Sequence, residues 1–266
     1  MKDRSKKNIN KKTTYLGKSS LKLMSLNIAH GRKNTFQQFL RRKKYIYKNL
    51  DEISTLFQRV QPDIIALQEA DSASHWSGHF DHVRYIAAES SFEHLMQGEH
   101  VNRYFINYGT AIISNLFLKK PRSFKFYKTA LRMPKGFVVC TVTCPNQLTE
   151  IDVVSLHLDP FRRSVRMKQI KELVQLLEDD KNPIVIMGDF NCDWKYKEST
   201  LHKLVELLDL RIYKPFDETL ITFPMHKKRF DWILISQELE FVSHNILADH
   251  VSDHLAVVVE VGWKLR

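Results

Sequence analysis

Pro183-Ile184-Val185-Ile186-Met187-Gly188-Asp189-Phe190-Asn191 joins an apolar run to a Gly-Asp-x-Asn turn. The run has the length and composition of a buried strand. The turn sets a carboxylate beside an amide at the strand terminus, where loops leaving a rigid scaffold carry binding and catalytic groups. Alone, a Gly-Asp turn after a strand is most often only a turn. A site requires other strand ends to supply partners.

Five further strand ends do so. Residues 21–27 (LKLMSLN) read as a strand closing on Asn27, and residues 63–68 (DIIALQ) as a buried strand closing on Glu69. Residues 151–156 run into His157. Asp231 opens the strand 232–235, and Asp253-His254 precede the last one, 255–261. Residues 111–114 and 137–143 are further strands. Between them lie two helical stripes. One carries Ile46, Leu50, Ile53, Phe57 and Val60 and stops before Pro62. The other carries Ile170, Leu173, Val174 and Leu177. A short helix is expected over 201–208. Two halves, each with a helix flanked by strands, imply an α/β sandwich of mixed sheets with helices outside. The expected organisation is a basic tail over 1–20 and one domain over 21–266.

Composition narrows the class. The 266 residues are 43% hydrophobic with 8 Gly and 8 Pro, which fits a globular core and excludes a fibrous chain. No apolar run nears the roughly 20 residues of a membrane helix. No apolar segment of signal-peptide type follows the basic N-terminus. A cytoplasmic protein is expected, with export through another signal left open. Cys140, Cys144 and Cys192 match neither a disulfide framework nor zinc spacing. The net charge is +11, and residues 1–20 hold seven Lys or Arg against one Asp. Such a tail is a solvated arm or a contact for an anionic polymer or membrane surface.

If the strand ends meet on one edge, they form a cluster of carboxylates, amides and imidazoles. That set suits metal-assisted phosphoester hydrolysis. A hard divalent cation takes oxygen ligands and keeps its waters, so one or two carboxylates suffice. The cation offsets charge developing on phosphoryl oxygens. An attacking water needs a carboxylate to orient or deprotonate it. A His held by an Asp has a fixed tautomer and a raised pKa. A serine nucleophile is disfavoured, because no Gly-x-Ser-x-Gly elbow is present.

The order and spelling of these segments resemble the endonuclease/exonuclease/phosphatase superfamily of deoxyribonuclease I-like and exonuclease III-like enzymes. The motifs are Leu26-Asn27, Leu67-Gln68-Glu69, Ser155-Leu156-His157-Leu158, Gly188-Asp189-Phe190-Asn191, Arg229-Phe230-Asp231 and Ser252-Asp253-His254, in order over residues 21 to 262. The resemblance implies a four-layered α/β sandwich with two packed mixed β-sheets flanked by helices. It implies Glu69 as the main magnesium ligand, with Asn27 close by and Asp253 contributing, and manganese as the alternative ion. Asp189 would orient or deprotonate the water, and Asn191 would hold a phosphate oxygen or the nucleophile. His254, supported by Asp231, would contact the phosphate and do acid/base work. His157 would stabilise charge on the pentacovalent phosphorus species.

Four departures bear on substrate. Many members have Gly-Asn where this chain has Gly109-Thr110, so Thr110 is expected to make a shifted substrate contact. Some repair nucleases carry a second carboxylate where Ala29 stands, and some have Tyr in place of His157. Phosphoinositide 5-phosphatases favour Asn-Gly where Ile28-Ala29 stands. Arg166, on one helix face with Gln169, resembles a substrate-side residue of the tyrosyl-DNA phosphodiesterase and lipid-directed branches. The reading is a monomeric magnesium-dependent phosphodiesterase or phosphatase acting on a small-molecule, lipid or nucleic-acid phosphoester. The alternatives are a DNA endonuclease, exonuclease or end-processing enzyme, and an inactive scaffold of the same fold.

Overall fold

The computed structural model describes residues 20–33, 43–103, 105–127, 133–144, 149–196 and 199–264. Apart from Ser20, the basic tail expected over 1–20 lies outside the described residues. The first half contains β1 (Ser20–Asn27), α1 (Lys43–Val60), β2 (Ile64–Asp71), α2 (His82–Glu89), β3 (His94–Arg103) and β4 (Ile106–Ser114). Next come β5 (Lys119–Lys125), β6 (Gly136–Thr143), β7 (Glu150–His157), α3 (Arg163–Leu177) and β8 (Ile184–Asp189). The chain continues through α4 (Thr200–Leu207), β9 (Leu210–Ile212), β10 (Asp231–Ser236), β11 (Leu239–Ile246) and β12 (Val257–Trp263).

Two six-stranded mixed sheets result, ordered β11-β12-β1-β2-β4-β3 and β5-β6-β7-β8-β10-β9. Leu23, Ile64 and Val259 of the first face Val138, Val153, Val185 and Met187 of the second in a core between the sheets. The outer face of the first sheet, with Met24, Leu26 and Leu67, packs on Ile46, Leu50, Ile53 and Phe57 of α1. The outer face of the second, with Val154, Leu156 and Ile186, packs on Ile170 and Leu173 of α3 and Leu201 and Leu204 of α4. Helix, sheet, sheet and helix make the four-layered α/β sandwich. Central strands are covered on both faces, which is why they read as predominantly apolar runs. No helix among the described residues is long and apolar enough to cross a membrane.

The four strands absent from the sequence reading, β3, β5, β9 and β11, are the four sheet edges. Edge strands carry charge and proline that block further pairing, as Lys119-Lys120-Pro121-Arg122 does in β5. Those residues erase the apolar run by which a strand is recognised.

Each sheet has one parallel pair, β1 with β2 and β7 with β8, joined through α1 and α3 respectively. Asn27 stands opposite Gln68 in the first pair, and His157 opposite Asp189 in the second. Buried hydrogen bonds fix the sheets against each other at this level. Gln68 Nε2 donates to Ser155 Oγ at 3.1 Å, and Ser155 Oγ donates to Leu67 O at 3.0 Å. The carboxyl ends of both parallel pairs therefore meet at one edge, where α/β sheets place ligands.

Gly188 permits this closeness. Its φ is +151°, and a Cβ there would stand 1.9 Å from Leu156 O. Gly188→Ala is expected to destabilise the fold by about 3 kcal/mol or more, read as a fall in urea midpoint. An unchanged midpoint would contradict that.

Candidate active site

The carboxyl-end edge gathers Asn27, Glu69, His157 and Asp189. The antiparallel neighbour β10 adds Asp231, in register with Asp189, and the loop before β12 adds Asp253 and His254. Asp189 is the meeting point. Its Oδ2 accepts from Asn27 Nδ2 at 3.1 Å, across the two sheets. The same oxygen lies 3.5 Å from His157 Nε2 and 3.9 Å from His254 Nε2. Its Oδ1 accepts from Asn191 N at 2.9 Å, the turn that Gly-Asp-x-Asn encodes. Asn191 takes φ 51°, which Asn tolerates, and its Nδ2 donates to Leu158 O at 3.0 Å.

His254 Nδ1 lies 2.7 Å from Asp231 Oδ2. A carboxylate only accepts, so Nδ1 carries the proton and Nε2 faces Asp189. Thr222 Oγ1 accepts from the backbone N–H of both Phe230 and Asp231 at 3.0 Å, fixing the approach to β10. Burial disfavours the His254 cation, but Asp231 and Asp189 override it and push the imidazole up to about 10. Burial in turn raises the Asp189 carboxyl, with Asp231 adding to it and His254 opposing. The protein without ligand is thus expected to keep His254 protonated through pH 8, read from its ring 15N shifts. Titration near the ordinary value of about 6.5 would contradict this. The stability this pair contributes is present below about pH 6.5 and is lost as pH rises through the folded value of about 10.

Glu69 occupies the other wall. A bulge in the β2–β4 ladder between Leu67 and Ala70 gives it φ 51°, re-aiming its side chain into the cleft. A bulky residue held at positive φ marks strain at a functional position. Burial would raise its carboxyl, but His30, Lys135 and His254 together hold it below the ordinary range. Its Oε2 lies 3.4 Å from His30 Nε2 and its Oε1 3.6 Å from Lys135 Nζ. Among the described residues neither oxygen takes a hydrogen bond, so both have lone pairs to offer. Asp253 is raised by burial, with Glu69 adding to the rise and His254 opposing it. A hard cation fits here: Glu69 supplies uncommitted oxygens, and a positive ion relieves its repulsion of Asp253. Asp189, Asp231 and His254 also offer three ligand atoms within 4.8 Å of one another. His254 is held protonated there by Asp231 and Asp189, and a histidine ligates only when its ligating nitrogen is deprotonated, so Glu69 is the better anchor.

Two expected substrate contacts have other partners. Thr110 is fully buried, with Oγ1 2.9 Å from His100 Nε2. Arg166 Nη1 donates to Asp159 O at 3.0 Å and Gln169 Oε1 accepts from Asp159 N at 2.9 Å, bracing the loop after His157.

Three residues that the strand-end reading passed over complete the site. Lys135 Nζ lies 3.0 Å from His157 Nε2, and that imidazole is pushed well below its ordinary value by burial first and then by Lys135. A neutral imidazole and a cation therefore stand side by side. The register of β6 against β7, Gly136 opposite His157, was the signal for Lys135: a strand start beside an antiparallel strand end shares its edge. His30 and Asp71 form the second contact, with His30 Nδ1 2.7 Å from Asp71 Oδ2. Burial works to raise Asp71, but His30 holds it well below the carboxylate range. His30 had no strand end to mark it, and β2 runs two residues past Glu69 to reach Asp71.

The model of the Endonuclease/Exonuclease/phosphatase family matches residues 24–254. Solved structures share the fold at low identity. An endonuclease/exonuclease/phosphatase family protein from Leptotrichia buccalis superposes with TM-score 0.72 at 18% identity, covering 91% of this chain and 100% of that one. The human Nocturnin catalytic domain with bound sulfate anion gives 0.70 at 20% identity, covering 93% and 96%. The mannosyl-6-phosphatase of Bacteroides thetaiotaomicron gives 0.67 at 16% identity, covering 92% and 100%. No curated protein matches the chain.

Proposed function

We propose, from the premise that the chain belongs to the Endonuclease/Exonuclease/phosphatase family, that it is a divalent-cation-dependent phosphoester hydrolase. The observation that carries this reading is the convergence on Asp189 Oδ2 of Asn27, His157 and the Asp231-held His254. A carboxylate that accepts from an amide and faces two imidazoles is placed to take a proton from water. Burial raises its pKa toward the working pH, as a general base requires.

Glu69, with Asn27 and Asp253 near it, would hold the cation, which supplies Lewis-acid stabilisation of the phosphoryl and leaving oxygens when bound. Asp189 orients the water and takes its proton as the water oxygen bonds to phosphorus and the bond to the leaving oxygen breaks. The leaving oxygen takes a proton from solvent. The imidazolium of His254 donates to a phosphoryl oxygen, and Asp231 keeps the ring in that orientation. Lys135 places positive charge beside the same oxygens, and His157 adds a neutral donor. Electrostatic stabilisation of this kind is usually the largest single catalytic contribution.

The test is a substrate panel with magnesium, manganese or chelator: a phosphomonoester sugar, a generic phosphodiester, phosphoinositides, sphingomyelin, and plasmid, single-stranded and abasic DNA. Cation-dependent release from at least one is expected, and none from any would overturn the reading. Should DNA be cut, a steep fall with salt identifies many Lys and Arg contacts. A small phosphoester would show no such slope.

A further inference from the structure

The cleft holds a second imidazole–carboxylate pair that the mechanism above does not use. His30 Nδ1 lies 2.7 Å from Asp71 Oδ2, matching the His254–Asp231 separation on the opposite wall. Asp71 is fully buried and fixed from its other side by Trp76 Nε1, which donates to Oδ1 at 3.0 Å. The His30 ring is itself held edge-on between Trp76 and Tyr108, at centroid distances of 4.7 and 4.6 Å. His30 takes φ 56° within the turn Ala29–Gly31, so the backbone is committed to this placement.

The carboxylate of Asp71 can only accept, so Nδ1 carries a proton toward it and Nε2 is the ring atom left to ligate. The His30 side chain is nine-tenths buried, and its Nε2 makes no hydrogen bond among the described residues. It points at Glu69 Oε2, 3.4 Å away. Metal–ligand bonds run about 2.1 Å, so two donor atoms at that separation can share one ion. A histidine that ligates a metal almost always gives its other N–H to a carboxylate, as His30 does.

We propose that His30 Nε2 is a ligand of the cation held by Glu69, making a mixed nitrogen and oxygen site that prefers a transition-metal ion to magnesium. The inference rests on the cation-dependent reading of the site. An imidazole ligand favours later transition-metal ions such as cobalt or zinc, and manganese to a lesser degree, over magnesium, which seeks oxygen ligands.

Pulsed EPR of the manganese-loaded full chain tests it, with titration calorimetry for manganese and magnesium. The wild type is expected to show 14N modulation from a coordinated imidazole and to bind manganese at least tenfold more tightly than magnesium. His30→Asn suits the left-handed backbone and offers an amide to Asp71. It is expected to lose the modulation and about tenfold or more in manganese affinity, with its melting temperature retained. Glu69→Gln is expected to abolish binding. Manganese bound through Glu69 without 14N modulation overturns the inference and leaves the cation reading standing. Modulation that persists in His30→Asn also overturns it. A wild type that binds neither ion overturns the cation reading, and this inference with it. The wild-type spectrum decides even if the variant fails to fold.

Discussion

Asp189→Asn is expected to lower kcat by about 1,000-fold or more, with circular dichroism and melting behaviour retained. The substitution keeps the shape of the side chain and an oxygen acceptor, so the turn to Asn191 survives. It removes the base, and it removes one of the three carboxylates, Asp231, Asp189 and Asp253, that keep His254 charged. Stability should move the other way. A folded-state pKa raised above the unfolded value of about 3.9 means that the buried carboxylate costs stability as pH rises from there through about 7. The variant is therefore expected to melt no lower than the wild type at pH 8. Loss of activity with gain of stability is the signature of a strained catalytic group. Full activity in Asp189→Asn would sink the assignment, and a collapsed fold would make the residue structural.

His254→Gln and Asp231→Asn are expected to cost about 100- to 1,000-fold each in kcat/KM, and the double variant no more than the worse single one. The reasoning is the 2.7 Å bond between them. Without Asp231 the ring loses both its fixed tautomer and the charge that keeps it protonated. Without His254 the Asp231 carboxylate, fully buried and with no hydrogen bond to Oδ1 among the described residues, has no further role in the cleft. Residues that act as a unit give such non-additive losses. Multiplied losses in the double variant would show that the two act separately.

The eight central strands and their polar termini were legible in the sequence because both faces of each are covered. Apolar residues dominate them even where Lys22, Ser25 or Asp152 intervenes, and polar residues stand at the termini that form the site. The β-edges were not legible, since β5 or β11 must repel pairing and so reads as loop. The wall around Asp189 was visible for the same reason as the strands: Asn27, His157, Asp189 and Asp231 stand at strand ends, and His254 lies in the loop just before β12. Lys135 escaped because it stands one residue before a strand whose antiparallel pairing no local pattern reveals. His30 and Asp71 escaped because their pairing depends on a bulge at Glu69 and a left-handed turn at residues 29–31, both set by tertiary packing. A resemblance between short motifs carried the order of the site residues and their expected roles, whereas hydrogen bonds and register show which of them meet.

Hydrolysis of a chromogenic phosphodiester by the wild type and by Glu69→Gln, each with manganese and with chelator, tests the site most directly. The wild type with manganese is expected to release nitrophenolate, to stop with chelator, and to recover when excess manganese is added. Glu69→Gln is expected to stay inactive throughout. Equal rates with and without chelator, or a Glu69→Gln variant as active as the wild type, would contradict a cation-dependent phosphoesterase built on Glu69 and Asp189.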